Sequence, residues 1–182
     1  MLIAFTGKLE SGKSTLAKEI KKRHTEGGVH MLAFAKPLKD MCNSYFGFSF
    51  EDLYTPEGKK KYNPMWNMTT REFMQRLGQG LRDAIGSDVW VKLLKVSILD
   101  KKDIYDLIMV DDARYPEEIN MIHELGGVVV RVTRPGHTAV SNGIKNHPSE
   151  QDLPDELIDI DLINDGTPEE LYERFHALMP NV

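Results

Sequence analysis

With 182 residues the chain suits a single domain and is long enough to bury a substantial core. Its 28 acidic against 23 basic residues leave a net charge of −5, which argues against general affinity for nucleic-acid polymers or acidic membranes. Any anionic ligand must be held by local basic clusters. The single cysteine, Cys42, excludes an intramolecular disulfide and a Cys-rich zinc site, and is expected to be a small buried thiol in a reducing cytosol. No secretory-signal pattern opens the chain and no run approaches the roughly 20 apolar residues of a membrane span, so a soluble, cytoplasmic protein is expected.

Leu2 to Thr6 is an apolar run suited to a buried strand, and it leads into Gly7-Lys8-Leu9-Glu10-Ser11-Gly12-Lys13-Ser14-Thr15. That is the full P-loop spacing, G-x-x-x-x-G-K-S/T, between a strand and a helix start. Such a loop wraps backbone N–H groups around phosphate oxygens, and the following helix points its positive end at the same place. Gly7, Ser11, Gly12, Lys13, Ser14 and Thr15 are therefore expected to bind a nucleotide. Lys13 can reach the terminal phosphates, and the Ser14 hydroxyl can ligate Mg2+.

Ser14 to about Glu26 reads as a helix stopped by Gly27-Gly28, followed by a second strand over Val29 to Ala35 that Lys36-Pro37 closes. A short helix is expected from Leu38 to about Tyr45. Phe46 to Asn67 reads as a loop-rich excursion from the sheet, of the kind that serves as a lid or binding loop, with Lys59-Lys60-Lys61 as solvated surface. Thr69-Thr70 with Glu72 offers N-cap chemistry to a helix reaching Ala84. Phe73, Met74, Leu77 and Leu81 form its core face, while Arg71, Gln75, Gln79 and Arg82 gather as a polar stripe with room for a phosphate and a base edge. Gly78 and Gly80 lie in that helix and are places where it can bend. Val89 to Leu99 is a further amphipathic helix with Trp90 at its start.

Asp106 to Asp112 is a buried-strand run ending in two carboxylates, where a Walker-B-like acid belongs. Ligands of open parallel sheets sit beyond the carboxyl ends of the strands, so these acids are expected beside the P-loop. Asp111 or Asp112 can hold Mg2+ or accept a substrate proton, and Arg114 follows closely enough to reach the same crevice. Then come a helix over Pro116 to Leu125, a strand over Val128 to Thr133 and a polar, lid-like segment from Arg134 to Gln151. Its His147-Pro148-Ser149-Glu150 is better suited to a structural role than to zinc. A last strand over Ile158 to Ile163 turns through Asn164-Asp165-Gly166 into a helix from Pro168 to about Met179. Strands alternating with helices at this spacing predict an α/β fold with a doubly wound parallel sheet covered on both faces.

The P-loop, Phe34-Ala35-Lys36-Pro37-Leu38-Lys39, Thr70-Arg71-Glu72 with Gly78 and Arg82, Asp88-Val89-Trp90, Val110-Asp111-Asp112-x-Arg114, Arg131-x-x-Arg134-Pro135 and Asn164-Asp165-Gly166 occur in this order along nearly the whole chain. Together they resemble the bacteriophage deoxynucleoside monophosphate kinases. The resemblance implies a P-loop NTPase fold with a five-stranded parallel sheet. It implies one kinase domain over 1–182, with an acceptor-binding excursion at 46–90 and a lid at 134–151. It implies an enzyme that moves the γ-phosphoryl group of ATP to a deoxynucleoside monophosphate with Mg2+, and acts on neither nucleic-acid polymer nor membrane, with a homodimer left open. Lys13 and the P-loop amides would hold the donor phosphates, and Ser14 with Asp111 or Asp112 would place the metal. Arg71, Gln75, Arg82, Trp90, Asp112 and Arg114 fall to the acceptor, Arg134 and Arg131 to the transferring group as lid arginines, and Asn164 and Gly166 to the adenine side of ATP. The sequence also admits a small-metabolite kinase acting on phosphomevalonate or dephospho-coenzyme A, or a P-loop nucleotide switch. Against the switch, no N/T-K-x-D guanine-reading motif occurs.

Overall fold

The computed structural model describes residues 1–24, 28–136 and 152–182. In chain order the elements are β1 (Leu2–Thr6), α1 (Lys13–Arg23), β2 (Val29–Leu32), α2 (Lys36–Phe46), α3 (Phe50–Tyr54), α4 (Pro56–Lys60), β3 (Tyr62–Asn63), β4 (Met68–Thr69), α5 (Thr70–Ile85), α6 (Val89–Lys101), β5 (Leu107–Val110), α7 (Pro116–Glu124), β6 (Val128–Thr133), β7 (Ile160–Ile163) and α8 (Pro168–Leu178). Five of the strands form one parallel sheet in the order β2-β5-β1-β6-β7.

The strand that feeds the P-loop is thus the middle one, which explains its unbroken apolar sequence: every residue of β1 is buried. Its side chains alternate between two cores. Leu2 and Ala4 join Ile108, Val110 and Val129 beneath Trp90, Leu94 and Ile98 of α6 and Ile119 and Ile122 of α7. Ile3 and Phe5 join Met109, Val130 and Leu162 against Leu16 and Ile20 of α1 and Leu171 and Phe175 of α8. Helices therefore cover both faces, as the alternation of elements predicts. No helix among the described residues is long and apolar enough to cross a membrane.

A third, smaller core sits where the sequence reads as loop. Cys42, Phe48, Leu53 and Phe73 are buried together, with Phe46 and Trp66 packed on them. The excursion is therefore more ordered than its composition indicates. Ser49 Oγ accepts from the Asp52 N–H at 3.1 Å while the Asp52 carboxylate accepts from the Ser49 N–H at 3.0 Å, a capping box that starts α3. Thr55 Oγ1 accepts from the Gly58 N–H at 2.9 Å and starts α4, with Pro56 in its first turn. Both helices are too short to show an apolar period, so only their caps announce them. Cys42 is fully buried, and burial pushes its thiol up to about 11.

The aromatic side chains of the excursion divide between core and surface. Trp66 belongs to this core, 5.0 Å from the Phe73 ring, and its indole N–H donates to the Phe46 carbonyl at 3.1 Å. Tyr62 is exposed on the β3–β4 hairpin and bonds Asn67. Tyr54 stacks on Phe50 at 4.2 Å, and the Lys39 ammonium lies over the Tyr54 ring, 4.2 Å from its centroid. The cap predicted for α5 is present, Thr69 and Glu72 bonding reciprocally, and the helix runs unbroken through Gly78 and Gly80.

Candidate active site

The P-loop leaves β1 in a conformation that depends on two glycines. Gly7 and Gly12 take φ values of 129° and 108°, a region L-residues rarely adopt. A Cβ on Gly7 would collide with the Val132 carbonyl, and one on Gly12 with the Asn164 amide. That amide comes from the end of β7 and donates to the Ser11 carbonyl at 2.8 Å, so Asn164, buried on the cleft wall, braces the loop from beneath. Asn164→Ala is expected to leave the Ser11 carbonyl short of a donor at a cost of about 1–3 kcal/mol. Chemical denaturation, with ATP affinity measured alongside, checks this; unchanged values for both would show that the brace is dispensable.

Lys13, the first residue of α1, is buried and folds back into the loop. Its ammonium donates to the Gly7 and Lys8 carbonyls at 2.7 and 2.6 Å and lies 3.3 Å from Ser11 Oγ. Next to it the Ser14 hydroxyl donates to Asp111 Oδ2 at 3.1 Å. Adjacent residues at a strand end point to opposite sides, and the two aspartates are used accordingly. Asp111 faces the P-loop. Asp112 instead accepts from the Phe34 and Ala35 N–H groups at 2.8 and 2.9 Å and ties down the turn between β2 and α2. Enclosure pushes the Asp112 carboxyl upward and the adjacent Asp111 charge adds to that, against the pull of the two N–H donors. The same turn explains why β2 stops at Leu32 rather than Ala35, with α2 beginning at Lys36.

A cleft of about 680 Å3 opens beside these groups. Ser11 to Thr15, Asn164 and Gly166 line one part of it, and Arg71, Gln75, Gln79 and Arg82 of α5 line another, with Trp90, Asp111, Asp112, Arg114 and Arg134 also on its walls. The polar stripe on α5 thus faces the P-loop across one space. Trp90 is almost fully buried, its indole N–H donating to the Gly78 carbonyl at 3.2 Å.

Two of the expected residues are placed differently from the rest. Arg82 lines the cleft, but its guanidinium donates to Glu118 at 2.8 Å and to the Ser87 carbonyl at 2.7 Å, and lies 3.8 Å from the centroid of the Tyr115 ring. Glu118 also accepts from the Arg114 N–H at 2.8 Å, so this buried pair fixes the backbone that carries Arg114. Arg131 is outside the cleft. The β6–β7 register sets it opposite Asp161, which it grips at 2.7 Å while also holding Asp155 at 2.6 Å, and these partners raise its already high pKa. From residue 137 onward the expected lid lies outside the described residues, and Arg134 stands exposed at its start.

Sequence reasoning missed two lysines. Lys39 and Lys59 both line the cleft and are half-buried. Burial, together with Lys39, Arg71 and Arg114, pushes the Lys59 amine down to about 8. The signal available was the Thr55-Pro56 helix start, which splits the lysine run: Lys61 turns outward to Asp52 at 3.0 Å, Lys60 is exposed, and Lys59 turns in.

A parallel sheet of this order, with a P-loop on its central strand, a hydroxyl–carboxylate pair beside it and an arginine-bearing wall across the cleft, defines a P-loop kinase. Solved structures agree on the fold. A sugar kinase from Janibacter sp. superposes with a TM-score of 0.52 at 15% identity, covering 98% of this chain and 94% of that one. Dephospho-CoA kinase from Campylobacter jejuni gives 0.51 at 12% identity, covering 99% and 96%. The model of the family described as deoxynucleotide monophosphate kinase matches residues 52–175, a span that begins after the P-loop and so is independent of it. A protein of Acanthamoeba polyphaga mimivirus, provisionally named deoxynucleotide monophosphate kinase, is 30% identical over 100% of this chain and 97% of its own length. The deoxynucleotide monophosphate kinase of Enterobacteria phage T4 is 33% identical over 58% of this chain, and that of Escherichia phage RB69 is 28% identical over 73%. This chain covers 43% and 54% of those two phage proteins. The chain belongs to the deoxynucleotide monophosphate kinase family, and it is a nucleotide kinase.

Proposed function

We propose that the protein transfers the γ-phosphoryl group of ATP to a deoxynucleoside monophosphate, giving ADP and the deoxynucleoside diphosphate. The observation that carries this reading is the single cleft with a triphosphate-binding loop on one wall and the Arg71–Gln75–Arg82 face of α5 on another. That arrangement offers phosphate-binding groups to two ligands at once. An oxygen of the acceptor phosphate attacks the γ-phosphorus, the bond from that phosphorus to the β–γ bridging oxygen breaks, and ADP leaves with the electron pair. In such a reaction the protein chiefly aligns the two phosphates and neutralises their charge.

Lys13 and the N–H groups of residues 11–15 hold the donor phosphates, with Gly166 and Asn164 on the same side of the cleft. Arg71 and Arg114 hold the acceptor phosphate, because a guanidinium fork pairs with two phosphate oxygens and keeps its charge at any working pH. Gln75 and Trp90 lie against the rest of the acceptor. Arg82 and Asp112 act by positioning, the first through Glu118 and the Arg114 backbone, the second through the turn at Phe34. Arg134 approaches from the lid side, while Arg131 takes no part. Ser14 and Asp111 together offer hydroxyl and carboxylate oxygens, the hard donors that suit Mg2+, an ion that takes only one or two protein ligands beside substrate phosphates. When bound, that ion neutralises charge on the β- and γ-phosphates.

The test is ADP release in a coupled assay with Mg2+, run against each deoxynucleoside and ribonucleoside monophosphate, with product identity verified. Diphosphate formation from at least one deoxynucleotide, well above the rate without acceptor, is expected. ATP binding with no monophosphate accepted would remove the acceptor roles of Arg71 and Gln75.

A further inference from the structure

We propose that Lys59 and Lys39 form a seat for the phosphate of the acceptor nucleotide, between Arg71 and Arg114; this rests on the reading given under Proposed function. The first observation is convergence. Lys39 from α2, Lys59 from α4, Arg71 from α5 and Arg114 from the segment after β5 all line one cleft. The second is the absence of a direct ion pair. Neither Lys39 nor Lys59 has a carboxylate within ion-pairing distance among the described residues, whereas Lys36, Lys61, Lys92 and Lys95 each have one. The half-buried Lys59 amine faces Lys39, Arg71 and Arg114, while Lys39 has Arg114 on one side and Asp111 and Asp112 beyond ion-pairing distance, and this cluster becomes favourable when an anion with several oxygens enters.

The third observation is that the fold builds this arrangement. Lys59 stands on a platform made by two short helices that could not approach without Gly58, where a Cβ would run into the Glu51 carbonyl and the Asp52 Cα. Lys61, bonded to Asp52, fastens the end of α4 to α3. Lys39 is steered by the Tyr54 ring, which is itself stacked on Phe50. The platform therefore does for the lysines what the Glu118 pair does for Arg114: it fixes where the charge is delivered.

The donor phosphates already have the P-loop amides and Lys13. The two lysines come from α2 and α4, which pack against α5, the helix that carries Arg71. Their charge thus belongs to the acceptor side. Asp111 and both lysines line the cleft that the P-loop also lines, so the seat faces the space where the two phosphates meet.

The experiment compares wild type with Lys59→Met and Lys39→Met, and with Lys60→Met as the exposed neighbour. Each substrate is titrated at saturation of the other. Loss of one charge-assisted bond to phosphate is expected to raise the acceptor KM by about tenfold or more in the first two variants, with the KM for ATP moving by less than about twofold. Lys60→Met should behave as wild type, and thermal midpoints should report that all three variants are folded. An acceptor KM unchanged in Lys59→Met, or a loss that falls on ATP instead, overturns the seat while leaving the proposed function intact. Failure of both cleft variants to fold would make the lysines structural and overturn it as well. A wild-type protein that turns over no deoxynucleoside monophosphate overturns the proposed function, and the seat with it.

Discussion

Lys13→Ala lowers the rate of phosphoryl transfer at saturating substrates by about 10³-fold, on the scale seen when a preorganised charge on the transferring group is removed. The reason lies in where the ammonium is held. Three loop oxygens, the Gly7 and Lys8 carbonyls and Ser11 Oγ, keep it inside the P-loop before any phosphate arrives, so little ordering remains to be done when ATP binds. The fold should survive the change. Gly7 is half-buried and Lys8 exposed, so water can reach the carbonyls that lose their donor. Single-turnover rates read beside thermal unfolding separate the two effects. A variant that unfolds early but retains its chemistry would show that Lys13 serves the loop rather than the reaction.

Arg82→Met acts the other way, on stability first. Removing one partner of a buried ion pair typically costs about 3–5 kcal/mol, because the other charge is left enclosed. Here burial already pushes the Glu118 carboxyl up to about 7 even with Arg82 present. Once Arg82 is gone, Glu118 takes up a proton in the folded state, which holds the loss near the lower end, about 3 kcal/mol. The unfolded chain, with the ordinary carboxyl value of 4.5, has released that proton by neutral pH. Stability falls with rising pH wherever the folded state binds more protons, so the variant should lose more stability at pH 8.5 than at pH 6. Denaturant titrations at the two values check this. The acceptor KM should also rise more than that for ATP, since the Arg114 backbone loses its fixed acceptor. An acceptor KM equal to that of wild type would show that Arg114 is held without the pair.

The parts of this protein that were legible in the sequence are those governed by period and spacing. β1 sits in the middle of the sheet, so its residues had to be apolar without alternation. The P-loop glycines could not be anything else, given the Val132 carbonyl and the Asn164 amide beside them. The stripe from Arg71 to Arg82 followed from helical geometry alone, and it does line the cleft. What was hidden depends on which way one side chain turns. Asp111 and Asp112 are chemically identical neighbours, and only the β2–α2 turn, brought close by the parallel pairing of β2 with β5, separates them. Arg131 reads like a lid arginine until the β6–β7 register sets it opposite Asp161. Lys59 sits in a run that composition assigns to solvent, and a five-residue helix turns it inward.

The brace between Asn164 and Ser11 spans 153 positions of sequence. A ribosome makes the P-loop long before Asn164, and the side chain that supports the loop emerges only after β6 and β7 have been completed. The segment made before β7 therefore carries the nucleotide-binding motif without this brace.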